Sequence, residues 1–86
     1  MNEEQWYVYI IQTEKNRFYT GIAKDVERRF YEHLFSPKGA NFFRSDCPEK
    51  IVLVEEYETR SEALKREAQI KRLTRSQKNA LIPSAL

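Results

Sequence analysis

The chain has 86 residues, 41% of them hydrophobic and 33% charged, with a formal net charge of +2. That length supports one small core, and the balance excludes an intrinsically disordered chain. Cys47 is the only cysteine, which excludes an internal disulfide and a cysteine zinc cluster and fits a reducing, cytoplasmic setting.

The expected organisation is one domain over residues 1–86, with its core at about 6–82. Met1-Asn2-Glu3-Glu4-Gln5 has no basic region followed by an apolar run, so no secretory signal is expected. The apolar runs are far shorter than a membrane span, so no membrane association is expected. Charge is unevenly placed. Residues 1–59 carry eight Lys/Arg against eleven Asp/Glu, a net of −3, whereas residues 60–78 carry seven against two, a net of +5. The basic C-terminal segment reads either as a solvated helix face or as a surface for a polyanion.

Trp6 to Gln12 is aromatic and β-branched and predicts a strand, apolar on both faces and therefore covered on both sides. Thr13 to Arg17 predicts a hairpin loop with Asn16 at positive φ. Phe18 to Ile22 returns as a second strand that Gly21 ends, where the backbone bends or approaches a ligand. Asp25 predicts the N-cap of a helix over Val26 to about Phe35, with Glu27 at its positive end. Val26, Phe30 and Leu34 form its core stripe, and Arg29 and His33 neighbour each other at i and i+4 along one edge.

Pro37 and Gly39 close that helix, and residues 36–49 form a loop. Ile51 to Val54, running on to Tyr57, predicts a strand buried on both faces. Thr59-Arg60-Ser61-Glu62 and Thr74-Arg75-Ser76-Gln77 are capping boxes that open two further helices, the second limited by Pro83. The order β-β-α-β-α-α predicts an α/β (α+β) fold, a three-stranded, mainly antiparallel sheet flanked by helices.

In the second helix Ala63, Leu64, Ala68 and Ile70 define an apolar arc, and Glu67 falls inside it. A carboxylate there must be paired, protonated or bound to a cation. A salt bridge is the ordinary reading of the spacing, and a metal ligand is the functional one. For His33 the ordinary reading is a partly buried, hydrogen-bonded histidine; an arginine one turn away and tyrosines on adjacent strands bring the functional reading closer. Tyr9 and Tyr19 suit packing in strands, but a buried hydroxyl needs a partner. Tyr7 and Tyr57 are assigned to packing, and Tyr31 to the surface.

Taken in order, Tyr7-Val8-Tyr9, Tyr19-Thr20-Gly21, the segment Ala23 to Arg29, His33, and Ala63-Leu64-Lys65-Arg66-Glu67 followed by Ile70-Lys71 resemble a GIY-YIG nuclease domain. Lys38-Gly39-Ala40 and Arg44 resemble the loop of its small stand-alone bacterial branch. The first motif has Tyr7 where the family has glycine, and the second has Thr20 where it has isoleucine. Asn79 is the one candidate for a family asparagine downstream of the glutamate.

The resemblance implies hydrolysis of a DNA phosphodiester with one divalent ion, Mg²⁺ or Mn²⁺. Tyr9 would act as general base or position the attacking water, with Tyr19 lining the same site. Arg29 would bind the phosphate, His33 would orient a tyrosine hydroxyl, and Glu67 would hold the metal. Lys38, Arg44, Lys71, Arg72, Arg75 and Lys78 would contact the nucleic-acid backbone. Phe42 and Phe43 are read as loop packing, with base stacking as the alternative.

Larger family members, some of them in DNA repair, carry further parts for target choice. A chain without them is expected to select DNA shape or single strands, to act with a protein partner, or to survive as a nucleic-acid-binding module with weak or lost catalysis. RNA remains an alternative substrate. A monomer is expected, and pairing through an exposed Trp6 or an open sheet edge is the competing interaction reading.

Overall fold

The computed structural model describes residues 4–35, 43 and 45–83. Its elements are β1 (Trp6–Thr13), β2 (Phe18–Ala23), α1 (Val26–Phe35), β3 (Pro48–Tyr57), α2 (Arg60–Lys71) and α3 (Arg75–Leu81), in the expected order. The sheet is antiparallel and three-stranded, ordered β2-β1-β3, so the first strand lies in the middle. That position explains why β1 is apolar on both faces.

Tyr7, Tyr9 and Ile11 pack on one side with Val26 and Phe30 of α1, and Val8 and Ile10 pack on the other with Ala63 and Ile70 of α2 and Leu81 of α3. Burying each of these larger aliphatic side chains contributes about 1.5–3 kcal/mol. No helix among the described residues is long and apolar enough to cross a membrane.

The local signals act as their chemistry requires. Asn16 takes φ 62°, and the Thr13 N–H donates to the Arg17 carbonyl across the hairpin at 2.9 Å. The Asp25 carboxylate accepts the Arg28 N–H at 3.1 Å and caps α1. Both capping boxes form, on Thr59 with Glu62 and on Thr74 with Gln77.

Several expectations are corrected. β3 is not buried on both faces: Val54 is 47% exposed and Ile51, Val52 and Leu53 are only partly covered, because β3 is an edge strand. In α1 the buried position belongs to His33, at 2% exposure, and Leu34 lies at the rim. The helical angle of residue 33 falls beside Val26, whereas residue 34 is rotated about 80° away. In α2 only Ala63 and Ile70 are fully buried; Leu64 and Ala68 face outward. Trp6 is half-buried and not exposed, with Lys24 and Arg60 over its ring at 5.4 and 5.7 Å. Gly21 does not end β2, which runs two residues further, and its φ is not positive.

Candidate functional site

The α1 face of the sheet gathers four rings. Tyr9, from the central strand, is 1% exposed, and its hydroxyl lies 3.3 Å from Nε2 of His33. Tyr19, from β2, stands with its ring centroid 6.3 Å from Tyr9 and meets His33 edge-on at 5.3 Å. Phe43 packs on both partners, 4.5 Å from the His33 ring and 4.8 Å from that of Tyr19. The spacing of Tyr9, Tyr7 and Ile11 at every second residue puts the phenol on this face, and the helical repeat that buries Val26 turns His33 toward it.

Gly21 makes the room. It pairs with Tyr9 across the strands, and a Cβ there would lie 2.6 Å from the Tyr9 hydroxyl and 2.8 Å from its Cζ. The glycine therefore serves a close approach, but to the Tyr9 ring.

The charges around the phenol are specific. Burial raises the Tyr9 pKa, the neighbouring Tyr19 and the charge of Glu67 push the same way, and the Arg29 guanidinium works against them without prevailing. The hydroxyl is thus protonated at neutral pH. Burial, then the charge of Arg29, lower the His33 pKa from its ordinary 6.5, with Glu32 opposing. A neutral imidazole can accept the phenol proton at Nε2 while Nδ1 carries its own. Arg29 remains a cation: burial opposes its charge, but Glu32 and Tyr9 outweigh that. Its Nη1 donates to Glu32 at 3.2 Å, and its side chain is 38% exposed. Arg29 and Arg28 line one open groove with Ala23, Lys24, Asp25 and Glu32.

Glu67 projects from α2. Its side chain is 19% exposed, and Lys71, one turn on, lies 3.5 Å from its carboxylate. The ordinary salt-bridge reading therefore holds in part, with an exposed lysine able to swing away. No group of three or more His, Cys, Asp or Glu is assembled among the described residues, so no cage of protein ligands for zinc or calcium forms there. A single carboxylate donor such as Glu67 is compatible with Mg²⁺ or Mn²⁺, which take most of their ligands from water and phosphate.

The expected nucleic-acid contacts divide. Lys71 and Arg72 are exposed on the end of α2, beside Glu67. Arg75 is committed elsewhere: it donates to the Asn16 carbonyl and side chain at 2.6 and 3.0 Å and covers Phe18 at 3.7 Å. Lys78 is half-buried on α3, and Asn79 is exposed. Lys38, Arg44, Gly39, Ala40 and Phe42 lie outside the described residues.

With this geometry in place, the comparison with known families is decisive. Residues 5–80 match the GIY-YIG catalytic domain. The chain belongs to the GIY-YIG family. Among its relatives, a UPF0213 protein of Cupriavidus necator is 46% identical over 78 residues, covering 91% of this chain and 84% of that one. UPF0213 protein YhbQ of Escherichia coli is 42% identical, with 90% and 76% covered. The solution NMR structure of a UPF0213 protein from Bacillus halodurans is similar at TM-score 0.57 and 35% identity, over 90% of this chain and 81% of that one. The chain thus groups with the UPF0213 proteins within the GIY-YIG family.

Two features escaped the motifs. Asp46 is 3% exposed and accepts from Thr13 Oγ1 at 2.5 Å, the Lys15 N–H at 3.0 Å and Arg17 Nε at 2.9 Å. Burial works against its charge, yet these donors hold its pKa below the usual carboxylate value. Phe43 packs as a loop aromatic was expected to, but against the site itself. Neither has a local signal, since their partners lie 10 to 33 positions away.

Proposed function

We propose that this GIY-YIG domain is a metal-dependent endonuclease that hydrolyses DNA phosphodiester bonds, selecting DNA shape or single strands over sequence. The observation that carries this reading is the buried hydrogen bond between the Tyr9 hydroxyl and Nε2 of His33, with Arg29 beside the same hydroxyl.

Arg29 supplies a fixed fork of donors at the groove and takes the phosphate oxygens, exchanging part of its contact with Glu32. Tyr9 is too weak an acid to wait as phenolate. It acts as a relay, taking the proton of the attacking water on its oxygen while its own proton passes to the neutral Nε2 of His33. Tyr19 walls the site and excludes bulk water. Glu67 would hold the divalent ion, which when bound stabilises the charge that develops on the phosphate oxygens. Lys71 and Arg72 attract the backbone without reading bases.

The test is cleavage of single-stranded, duplex, flapped and branched DNA with Mg²⁺ or Mn²⁺, beside Glu67→Gln. Wild-type cutting that falls at least about 100-fold in the variant is expected. Equal cutting by both overturns the assignment of Glu67. Salt-sensitive binding with no cutting by either identifies a binding module instead, and cutting of RNA alone replaces the substrate.

A further inference from the structure

The Tyr9 and His33 contact depends on the orientation of the imidazole, so the surfaces packed against that ring must help to fix it. Two aromatic surfaces do so. Tyr19 meets it edge-on at 5.3 Å with 68° between planes, and Phe43 lies against it at 4.5 Å and 43°. Phe43 also touches Tyr19, at 4.8 Å, so the three rings close a triangle. At 3% exposure Phe43 is enclosed, although it comes from the connection between α1 and β3 and belongs to no regular element of the sheet.

That connection is fastened just beyond Phe43. The Asp46 carboxylate takes hydrogen bonds from Thr13, Lys15 and Arg17 of the hairpin, and the Glu14 N–H donates to the Cys47 carbonyl at 2.9 Å. The same hairpin joins β1, which carries Tyr9, to β2, which carries Tyr19. The anchor therefore ties the segment that bears Phe43 to the strands that bear both phenols. A residue merely filling space would not need to meet both rings that contact the relay.

We propose that Phe43 is a positioning residue for this site, holding His33 and Tyr19 in register so that Nε2 stays on the Tyr9 hydroxyl, with Asp46 as the anchor of its segment. The role for cleavage rests on the nuclease reading, but the positioning itself can be read without activity. Among the described residues, the groups facing His33 are Tyr9 from β1, Tyr19 from β2, Arg29 and Glu32 from its own helix, and Phe43. Of these, Phe43 is the uncharged, non-titrating one, and its loss exposes the imidazole without changing a charge.

His33 is the only histidine in the chain, so its ring nitrogens give one set of NMR signals. The experiment is a pH titration of those signals in the whole protein, in wild type, Phe43→Met, Phe43→Leu and Phe43→Tyr, with circular dichroism to confirm folding. Met nearly conserves the volume and removes the flat face; Tyr restores it. The expected result is a His33 midpoint below about 6.5 in wild type and in Phe43→Tyr, moving up toward that ordinary value in Phe43→Met and Phe43→Leu, with exchange between tautomers. A midpoint and tautomer unchanged in folded Phe43→Met, with only the melting temperature lowered, overturns the proposal and leaves Phe43 as packing.

Where wild type cuts DNA, kcat in Phe43→Met falls about tenfold and KM stays within about twofold, as a misplaced relay requires; a rise in KM alone overturns the role in catalysis. A wild type that cuts nothing removes the nuclease reading, and the titration still decides whether Phe43 positions His33.

Discussion

The Tyr9 ring occupies the space that a side chain on Gly21 would need. The two residues face each other across β1 and β2, and a Cβ on Gly21 would meet the Tyr9 hydroxyl at 2.6 Å and Cε1 of Tyr19 at 3.2 Å. The obstructing atom is the end of a side chain, but that chain is a rigid ring at 1% exposure with nowhere to move. Gly21→Ala is therefore expected to destabilise the fold by about 1–3 kcal/mol, the cost of overpacking a close-packed site. It also displaces the phenol from His33, so cleavage falls by more than the folded fraction does. Urea unfolding beside a cleavage assay on the same preparation separates the two effects, and full activity per folded molecule would count against the Tyr9 role.

Tyr9→Phe makes the complementary change. It keeps the ring that packs with Tyr7, Ile11 and Tyr19 and deletes the hydroxyl that reaches His33. Stability is expected to change by only about 1 kcal/mol, the worth of one such hydrogen bond. Cleavage falls on the order of 10²–10⁴-fold if the hydroxyl relays a proton, with DNA affinity retained. Affinity is measured in the absence of metal so that binding and turnover are read apart. Unchanged cleavage would remove Tyr9 from the chemistry.

Much of this was legible in the sequence, for identifiable reasons. The strand alternation of Trp6 to Thr13, the positive φ of Asn16, the Asp25 cap and the two capping boxes are local devices, and local devices are read from neighbours in the chain. The i, i+4 spacing of Arg29 and His33 is equally local, although His33 takes the buried position and not the helix edge, and the order of the motifs nominated Tyr9, Tyr19 and Glu67. What stayed hidden depends on neighbours distant in sequence. That β3 is an edge strand decides the exposure of Val54, and an apolar run looks the same at an edge or a centre. Asp46 meets Thr13 across 33 positions, and Arg75 meets Asn16 across 59, with no periodicity to announce either contact. Gly21 was legible as a close approach, but its partner was not.

Acid should weaken both the fold and the chemistry through His33. Its folded pKa lies below the ordinary 6.5, chiefly through burial. Above that value both folded and unfolded chains hold a neutral ring and no stability depends on it. As pH falls below about 6.5, the unfolded chain takes up the proton first, so stability drops, by at most about 1.4 kcal/mol per pH unit, until the folded pKa is passed. Asp46 adds a separate loss at lower pH, because its pKa is held below 3.8 by its donors. Cleavage falls at lower pH, where the folded ring itself takes up the proton, since a protonated Nε2 cannot accept from Tyr9. Denaturant unfolding from pH 8 to 5 in wild type and His33→Gln checks the sign: the variant should lose the slope between about 6.5 and its folded midpoint. An equal slope in both would assign it to another group.

The basic residues of the C-terminal half should not behave alike. Arg75 spends its guanidinium on Asn16 and Phe18, clamping α3 to the hairpin. Arg75→Ala is therefore expected to cost about 1–2 kcal/mol of stability while leaving the salt dependence of DNA binding unchanged. Arg72 is exposed at the end of α2, and Arg72→Ala should leave stability within about 0.5 kcal/mol and reduce the salt slope by about 1. Lys71 stands between these cases, because its carboxylate partner is Glu67. A divalent ion on Glu67 would draw that carboxylate away and leave the lysine for a phosphate. Lys71→Ala should thus lower the salt slope with Mg²⁺ present and change it less without the ion. Measuring binding of Glu67→Gln across the same salt series tests the link: with the carboxylate gone, Lys71 should contribute its full share whether or not metal is added. A metal-dependent slope that survives Glu67→Gln would place the ion on other residues.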